Sequence, residues 1–201
     1  MATDIELLDR QSALQAEGDA AVADLGLADD LAALGESVRV GSSALGLMVK
    51  RDVDLTVACP KLGSMTLEAI RTLGLKIARH PRVRQVTFRD DSGDWNSDPD
   101  GYPDGVYLGL RYRSAEKQDW NFDIWFVDQP DRQPDLAHLR TLLPRLTDES
   151  RVAILAIKEA LATDPEYGRS IHGVDVYEAV LDHGVTSLDE FTANRSKSGN
   201  V

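Results

Sequence analysis

Val40-Gly41-Ser42-Ser43-Ala44-Leu45-Gly46-Leu47, followed after two residues by Lys50-Arg51-Asp52-Val53-Asp54-Leu55-Thr56-Val57-Ala58, is the stretch that decides the fold. A strand that ends in Gly-Ser and turns into a short helix presents backbone N–H groups and a hydroxyl with no bulky side chain in front, a combination suited to phosphate. Asp52 and Asp54 stand two apart in a strand-like run, so both carboxylates project from one face, close to whatever the glycine-serine turn holds. Paired carboxylates beside a triphosphate offer hard oxygen ligands to Mg²⁺, with the remaining positions left to water and phosphate oxygens.

Outward from that stretch the chain alternates in type. Upstream, Asp4 to about Leu34 is rich in Ala, Leu, Asp and Glu and reads as one or two helices, with apolar positions spaced unevenly around Gly18. Ser37 to Val40 alternates as a strand. Downstream, Leu67, Ile70, Leu73 and Ile77 recur at helical spacing over about Ser64–Arg79, a helix that ends before Pro81. Val83–Phe88, Val106–Tyr112 and Trp120–Val127 are β-rich, so five strands surround one helix. After Pro130 and Pro134 the chain reads helical: Pro134 to about Leu143, Asp148 to about Ala162, Val174–His183 closed by Gly184, and a short last helix after the capping signature Ser187-Leu188-Asp189-Glu190. The tail Asn194–Val201 is polar and is expected to fray. The division is therefore a helical segment over 1–35, an α+β core over 36–130 and a helical subdomain over 131–201.

A third acid completes the pattern. In Trp120-Asn121-Phe122-Asp123-Ile124-Trp125-Phe126-Val127, Asp123 is the lone charge in an otherwise apolar run, which is costly unless it is paired or metal-bound. An ion pair with Arg111 or Arg113 is the plain alternative. Gly41-Ser42, nine intervening residues, Asp52-x-Asp54 and the later Asp123 together resemble the nucleotidyltransferase superfamily, the polymerase-β-like fold, over about residues 36–127. Two positions depart from the commoner family pattern: Leu45, where many members carry Arg, and Arg51, where Ser is frequent.

The resemblance implies a mixed sheet of about five strands, two Mg²⁺ held by Asp52, Asp54 and Asp123, and a nucleoside triphosphate, ATP first, as substrate. It implies displacement at the α-phosphorus with release of pyrophosphate, and Asp123 as general base toward an acceptor hydroxyl. Gly41, Ser42 and Ser43 would hold the terminal phosphates. Lys50, Arg51 and Lys158 are further candidates for phosphate contact, although Glu159 and the apolar Ile154, Leu155 and Leu161 favour a solvated Lys158.

Composition limits the partners. The 201 residues carry 22 Lys and Arg against 34 Asp and Glu, a net charge of −12, which disfavours extended nucleic-acid binding and suits cationic or small neutral acceptors. The start Met1-Ala2-Thr3-Asp4-Ile5-Glu6 is acidic and no run approaches a membrane span, so a cytoplasmic location away from membranes is expected. The single cysteine, Cys59, excludes a multi-thiolate zinc site and reads as a small buried residue. His80, His138, His172 and His183 lack metal-ligand spacing and read as surface or helix-end residues. The loop Asp90–Asp104 holds six Asp and imitates the start of an EF-hand, yet Tyr107 stands where the closing Glu belongs, so it reads as a solvated turn. Its Trp95 and Tyr102 could stack on a ring. The leading function is thus transfer of a nucleotide to a hydroxyl of a small acceptor. Protein or RNA-end modification of the toxin type, and a non-catalytic nucleotide sensor, are the alternatives.

Overall fold

The structure, a computed structural model, describes residues 3–198. Thr3 opens the first helix with a capping box: its side chain accepts from the Glu6 N–H (3.3 Å) and the Glu6 carboxylate accepts from the Thr3 N–H (2.7 Å). Helix α1 (Asp4–Leu25) breaks at Gly26, whose φ of 62° is left-handed, and α2 (Leu27–Ala32) follows. Gly18, around which the apolar spacing is irregular, lies inside α1, where the missing side chain lets the Trp120 ring pack against the helix.

Strand β1 (Glu36–Val40) leads into the short helix α3 (Gly41–Leu45), then β2 (Asp52–Ala58), α4 (Ser64–Ile77), β3 (Val83–Asp91), β4 (Gly105–Arg113) and β5 (Asp119–Val127). The helices α5 (Pro134–Leu142), α6 (Asp148–Leu161), α7 (Gly173–His183) and α8 (Leu188–Ser198) complete the chain. All five expected strands are present. Helix α8 continues through the segment expected to fray, up to Ser198; residues 199–201, and the Met1-Ala2 start used in the signal-peptide argument, lie outside the described residues.

The sheet is mixed, in the order β1-β2-β5-β4-β3, with β2 and β5 parallel and the other pairs antiparallel. The α+β class and five-stranded mixed sheet expected from the sequence are what the chain forms. Alternation gives the sheet two unlike faces. Val53, Leu55, Phe122, Ile124, Phe126, Leu108 and Leu110 point to one side, where α1, α2 and α4 cover them with residues such as Ala21, Leu31, Ile70 and Leu73. The intervening Asp52, Asp54, Asn121, Asp123 and Trp125 project from the other side and remain half-buried.

A second core joins α6, α7 and α8 through Ile154, Leu155, Val176, Tyr177 and Phe191, and it takes in Leu7 from α1 and Leu45 and Leu47 from around α3. The N-terminal helix thus belongs to both cores, with Leu7 in one and Ala21 in the other. None of the helices is long and apolar enough to cross a membrane among the described residues.

Candidate functional site

The parallel pairing of β2 with β5 sets Asp54 directly opposite Asp123 and Asp52 opposite Asn121. Carboxylate oxygens of Asp52, Asp54 and Asp123 all lie within 4.8 Å of one another. Residues 71 positions apart in sequence are thereby brought together by strand register alone. The Arg alternative for Asp123 is not realised: Arg113 pairs with Asp119 (2.6 Å), Arg111 donates to the Asn121 side-chain oxygen, and Asp123 accepts a hydrogen bond from the Tyr107 hydroxyl.

Burial and mutual repulsion disfavour charge in this cluster. The Asp52 carboxyl is pushed up to about 6, first by burial and then by Asp123, and Asp54 is held well above the usual carboxylate range by burial and by its two acidic neighbours. Asp52 Oδ1 is buried without a hydrogen-bond partner among the described residues. An unpartnered carboxylate oxygen facing two further carboxylates is a set of three hard oxygen donors whose chemistry fits a divalent ion of the magnesium type.

The turn before the cluster is shaped for it. Gly41 has a left-handed φ of 62°, and a Cβ there would collide with the Asp54 carboxylate, so glycine is needed both for the backbone and for the close approach. Ser42 lines the cleft in front of the triad. Ser43 does not: its hydroxyl is buried and donates to the Val40 carbonyl (3.1 Å), closing the turn.

That cleft, about 740 Å³, lies between the sheet and the helical half, and Gly41, Ser42, Asp52, Asp54, Asp123 and Lys158 are among its walls. Lys158 corrects the solvated expectation, since only 3% of it is exposed. Its ammonium donates to the Leu47 carbonyl (2.6 Å) and the Tyr177 hydroxyl (3.0 Å), and burial lowers its pKa to about 7 although Asp54 and Asp52 act to raise it. Of the other cations considered, Arg51 turns away to Glu17 (2.9 Å), and Lys50 is exposed with its ammonium 4.5 Å from the centre of the Tyr167 ring, a cleft residue.

Several cleft residues had no signal in the local sequence. Asp135, in the first turn of α5, is a further carboxylate on the wall; burial raises its pKa and Gln133 donates to it (3.3 Å). His138 and His172 line the cleft too, beyond the surface role expected of them. Tyr107 could have been found from one clue: Gly109 is the cross-strand partner of Asp123, and a side chain there would occupy the space through which the Tyr107 ring reaches it. The acidic loop borders the same cleft through Asn96, Asp98 and Tyr102, while Trp95 is 76% exposed and outside it.

No family model and no curated protein matches this chain. Among solved structures, one similar chain belongs to a cytoplasmic RNA terminal U-transferase, with 15% identity and a TM-score of 0.46 over 89% of this chain. This chain spans 46% of that one.

Proposed function

We propose that the protein is a Mg²⁺-dependent nucleotidyltransferase that moves a nucleoside monophosphate from a nucleoside triphosphate, with ATP as the first candidate, to a hydroxyl of a small acceptor. The observation that carries this reading is the convergence of Asp52, Asp54 and Asp123 within 4.8 Å at the wall of a cleft that also holds the Gly41-Ser42 turn. A structural role explains the cluster poorly, because three half-buried carboxylates with an unpartnered oxygen oppose folding instead of assisting it.

In this reading Asp52, Asp54 and Asp123 hold the ion, which when bound neutralises triphosphate charge and polarises the phosphoryl group. The Gly41-Ser42 turn receives the terminal phosphates. Lys158, already positioned by Leu47 and Tyr177, supplies positive charge on the helical side of the cleft. The acceptor oxygen forms a bond to the α-phosphorus as the bond to the leaving pyrophosphate breaks, and the acceptor proton passes to the Asp123 carboxylate. The hydrogen bond from Tyr107 fixes the orientation of that carboxylate.

The test is incubation with each labelled nucleoside triphosphate and Mg²⁺, with and without hydroxyl acceptors. Acceptor-dependent pyrophosphate is expected, and Asp54→Asn should eliminate it. Absence of pyrophosphate, together with a melting temperature that neither nucleotide nor Mg²⁺ raises, would overturn the assignment.

A further inference from the structure

Asp123 stands between two spaces. On its helical side is the 740 Å³ cleft; on its other side a smaller depression of about 240 Å³ runs over the open face of β3, β4 and β5, lined by Asp123, Asn121, Arg111, Gly109, Thr87 and Gln85. Register explains the composition. Asp54, Asp123, Gly109 and Thr87 form one row across the sheet, and Asp52, Asn121, Arg111 and Gln85 form the next. Arg111 is therefore the diagonal cross-strand neighbour of Asp123, a separation of roughly 7–8 Å. That is within the span of one small molecule.

The charge on this face opposes the charge of the chain. At the end of the sheet, Arg82, Arg84, Arg111 and Arg113 line a shallow basin of about 970 Å³ that begins at Arg111 and Asn121. Arg82 is taken by Asp24 and Arg113 by Asp119. Among the described residues, no carboxylate lies within ion-pairing distance of Arg111 or Arg84. The side-chain bond from Arg111 goes to the neutral Asn121 oxygen, which holds the guanidinium along its row and leaves further N–H groups facing solvent. Arg84 sits at the irregularity in the β3–β4 ladder between Val83 and Gln85 and is exposed. Arg111 feels Asp52 and Arg84 feels Asp119 only at longer range, so in a protein of net charge −12 both exposed guanidiniums keep donors to offer an anion.

We infer that this open sheet face is the acceptor subsite and that the acceptor is a small hydroxyl compound bearing a phosphate or similar anionic group, gripped by Arg111 with Arg84 in support. The inference rests on the transferase reading for the word acceptor, and on the geometry alone for the anion. The hydroxyl reaches Asp123 while the anion stays on Arg111 of the neighbouring strand, one row along the sheet, so the negative end of the acceptor is held off the triad. Two guanidiniums without a direct carboxylate partner match one phosphate group; a polynucleotide would call for a longer cationic track.

Two measurements test this. First, inorganic phosphate is titrated into the protein without nucleotide or metal, and the arginine Nε–H resonances are followed by NMR. Arg111 and Arg84 should move together, Arg145, paired with Asp182 elsewhere, should not, and Arg111→Gln should weaken the response at Arg84 about tenfold. A uniform response from all arginines, or none at Arg111, overturns the subsite whatever the enzyme's activity. Second, pyrophosphate release is compared with ribose 5-phosphate, ribose and a five-nucleotide RNA as acceptors. The phosphorylated sugar should be preferred over ribose, and Arg111→Gln should raise its KM about tenfold, more than it changes the nucleotide KM. Equal use of ribose, or preference for the RNA, overturns the small anionic acceptor. If no acceptor is used, the transferase reading fails while the phosphate titration still decides the anion site.

Discussion

Two acidic groups face the same cleft and behave in opposite ways. In the loop between β3 and β4, Asp98 accepts from the Gly101 N–H (3.1 Å), Asp104 accepts from the Asn96 amide (3.2 Å), and Arg132 clips the loop through the Pro99 and Tyr102 carbonyls. Asp94, Asp98 and Asp100 are exposed to water. On β2 and β5, Asp52, Asp54 and Asp123 face each other half-buried, and Asp52 keeps an oxygen without a hydrogen-bond partner among the described residues. The loop holds more acids, but its own backbone and solvent satisfy them. Carboxylates left unsatisfied by folding are the better candidates for a ligand, and on that measure the strand cluster is the candidate site and the loop its border.

If that contrast is right, substitutions in the two groups should differ in kind. The largest effect is expected for Asp54→Asn, which should lower transfer by at least about 10²–10⁴-fold, the scale for loss of a central catalytic group. It should also leave the apo melting temperature unchanged or raised, since one member of a repelling group is neutralised. A clear fall in melting temperature would make Asp54 structural and erase the contrast.

Gly41→Ala should come next. It forces a left-handed backbone on a residue with a side chain, at a cost of about 1–2 kcal/mol, and drives a methyl group into the Asp54 carboxylate. Thermal unfolding should shift downward by several degrees, and Mn²⁺ binding, read by calorimetry, should weaken. A variant that melts and binds like the parent would show that the turn does not hold the cluster.

The pH dependence sharpens the comparison further. Because the folded-state pKa of Asp52 is raised to about 6, the native state binds that proton more tightly than the unfolded state. Asp52 therefore lowers stability progressively as pH rises from about 4 through 6. Asp52→Asn removes the effect, so the variant should gain over the parent across that window by on the order of 2 kcal/mol in metal-free buffer, measured by urea unfolding. A gain that is constant with pH would contradict a buried, repelling carboxyl. Saturating Mg²⁺ should reverse the order, stabilising the parent at pH 7 and not the variant.

The smallest effect is expected in the loop. Replacing Asp98, Asp100 and Asp104 together with Asn should leave Mn²⁺ affinity and the nucleotide KM nearly unchanged, because exposed charges act over a Debye length of about 8 Å and are screened by salt. The acceptor KM separates the two expectations for its charge: removing these carboxylates should lower it modestly for an anionic acceptor and raise it for a cationic one, and salt should blunt either change. A metal-affinity loss as large as that of Asp54→Asn would move the site into the loop.

By itself, the sequence was enough for the strands and helices and to nominate Asp52, Asp54 and Asp123. Strand alternation in Trp120–Val127 placed Asp123 opposite in facing to Phe122 and Ile124, Asp52-x-Asp54 fixed a shared face, and Gly41-Ser42 fixed the turn. These features depend on the local periods of strand and helix and on backbone needs at single residues, which neighbouring residues suffice to specify. Tertiary structure decided the rest. Lys158 looked solvated because Glu159 lies beside it and Ile154, Leu155 and Leu161 define the apolar face, but α6 packs it under Leu47, 111 positions earlier, and beside Tyr177. Arg51 and Lys50, adjacent to the triad in sequence, are drawn to Glu17 and Tyr167. Tyr107 reaches Asp123 through strand register and the absence of a side chain at Gly109, and register sets Arg111 against the neutral Asn121. Which cation enters a site, and which carboxylate goes without a partner, depends on contacts between residues far apart in the chain, and burial sets their energies only once the two cores have closed together.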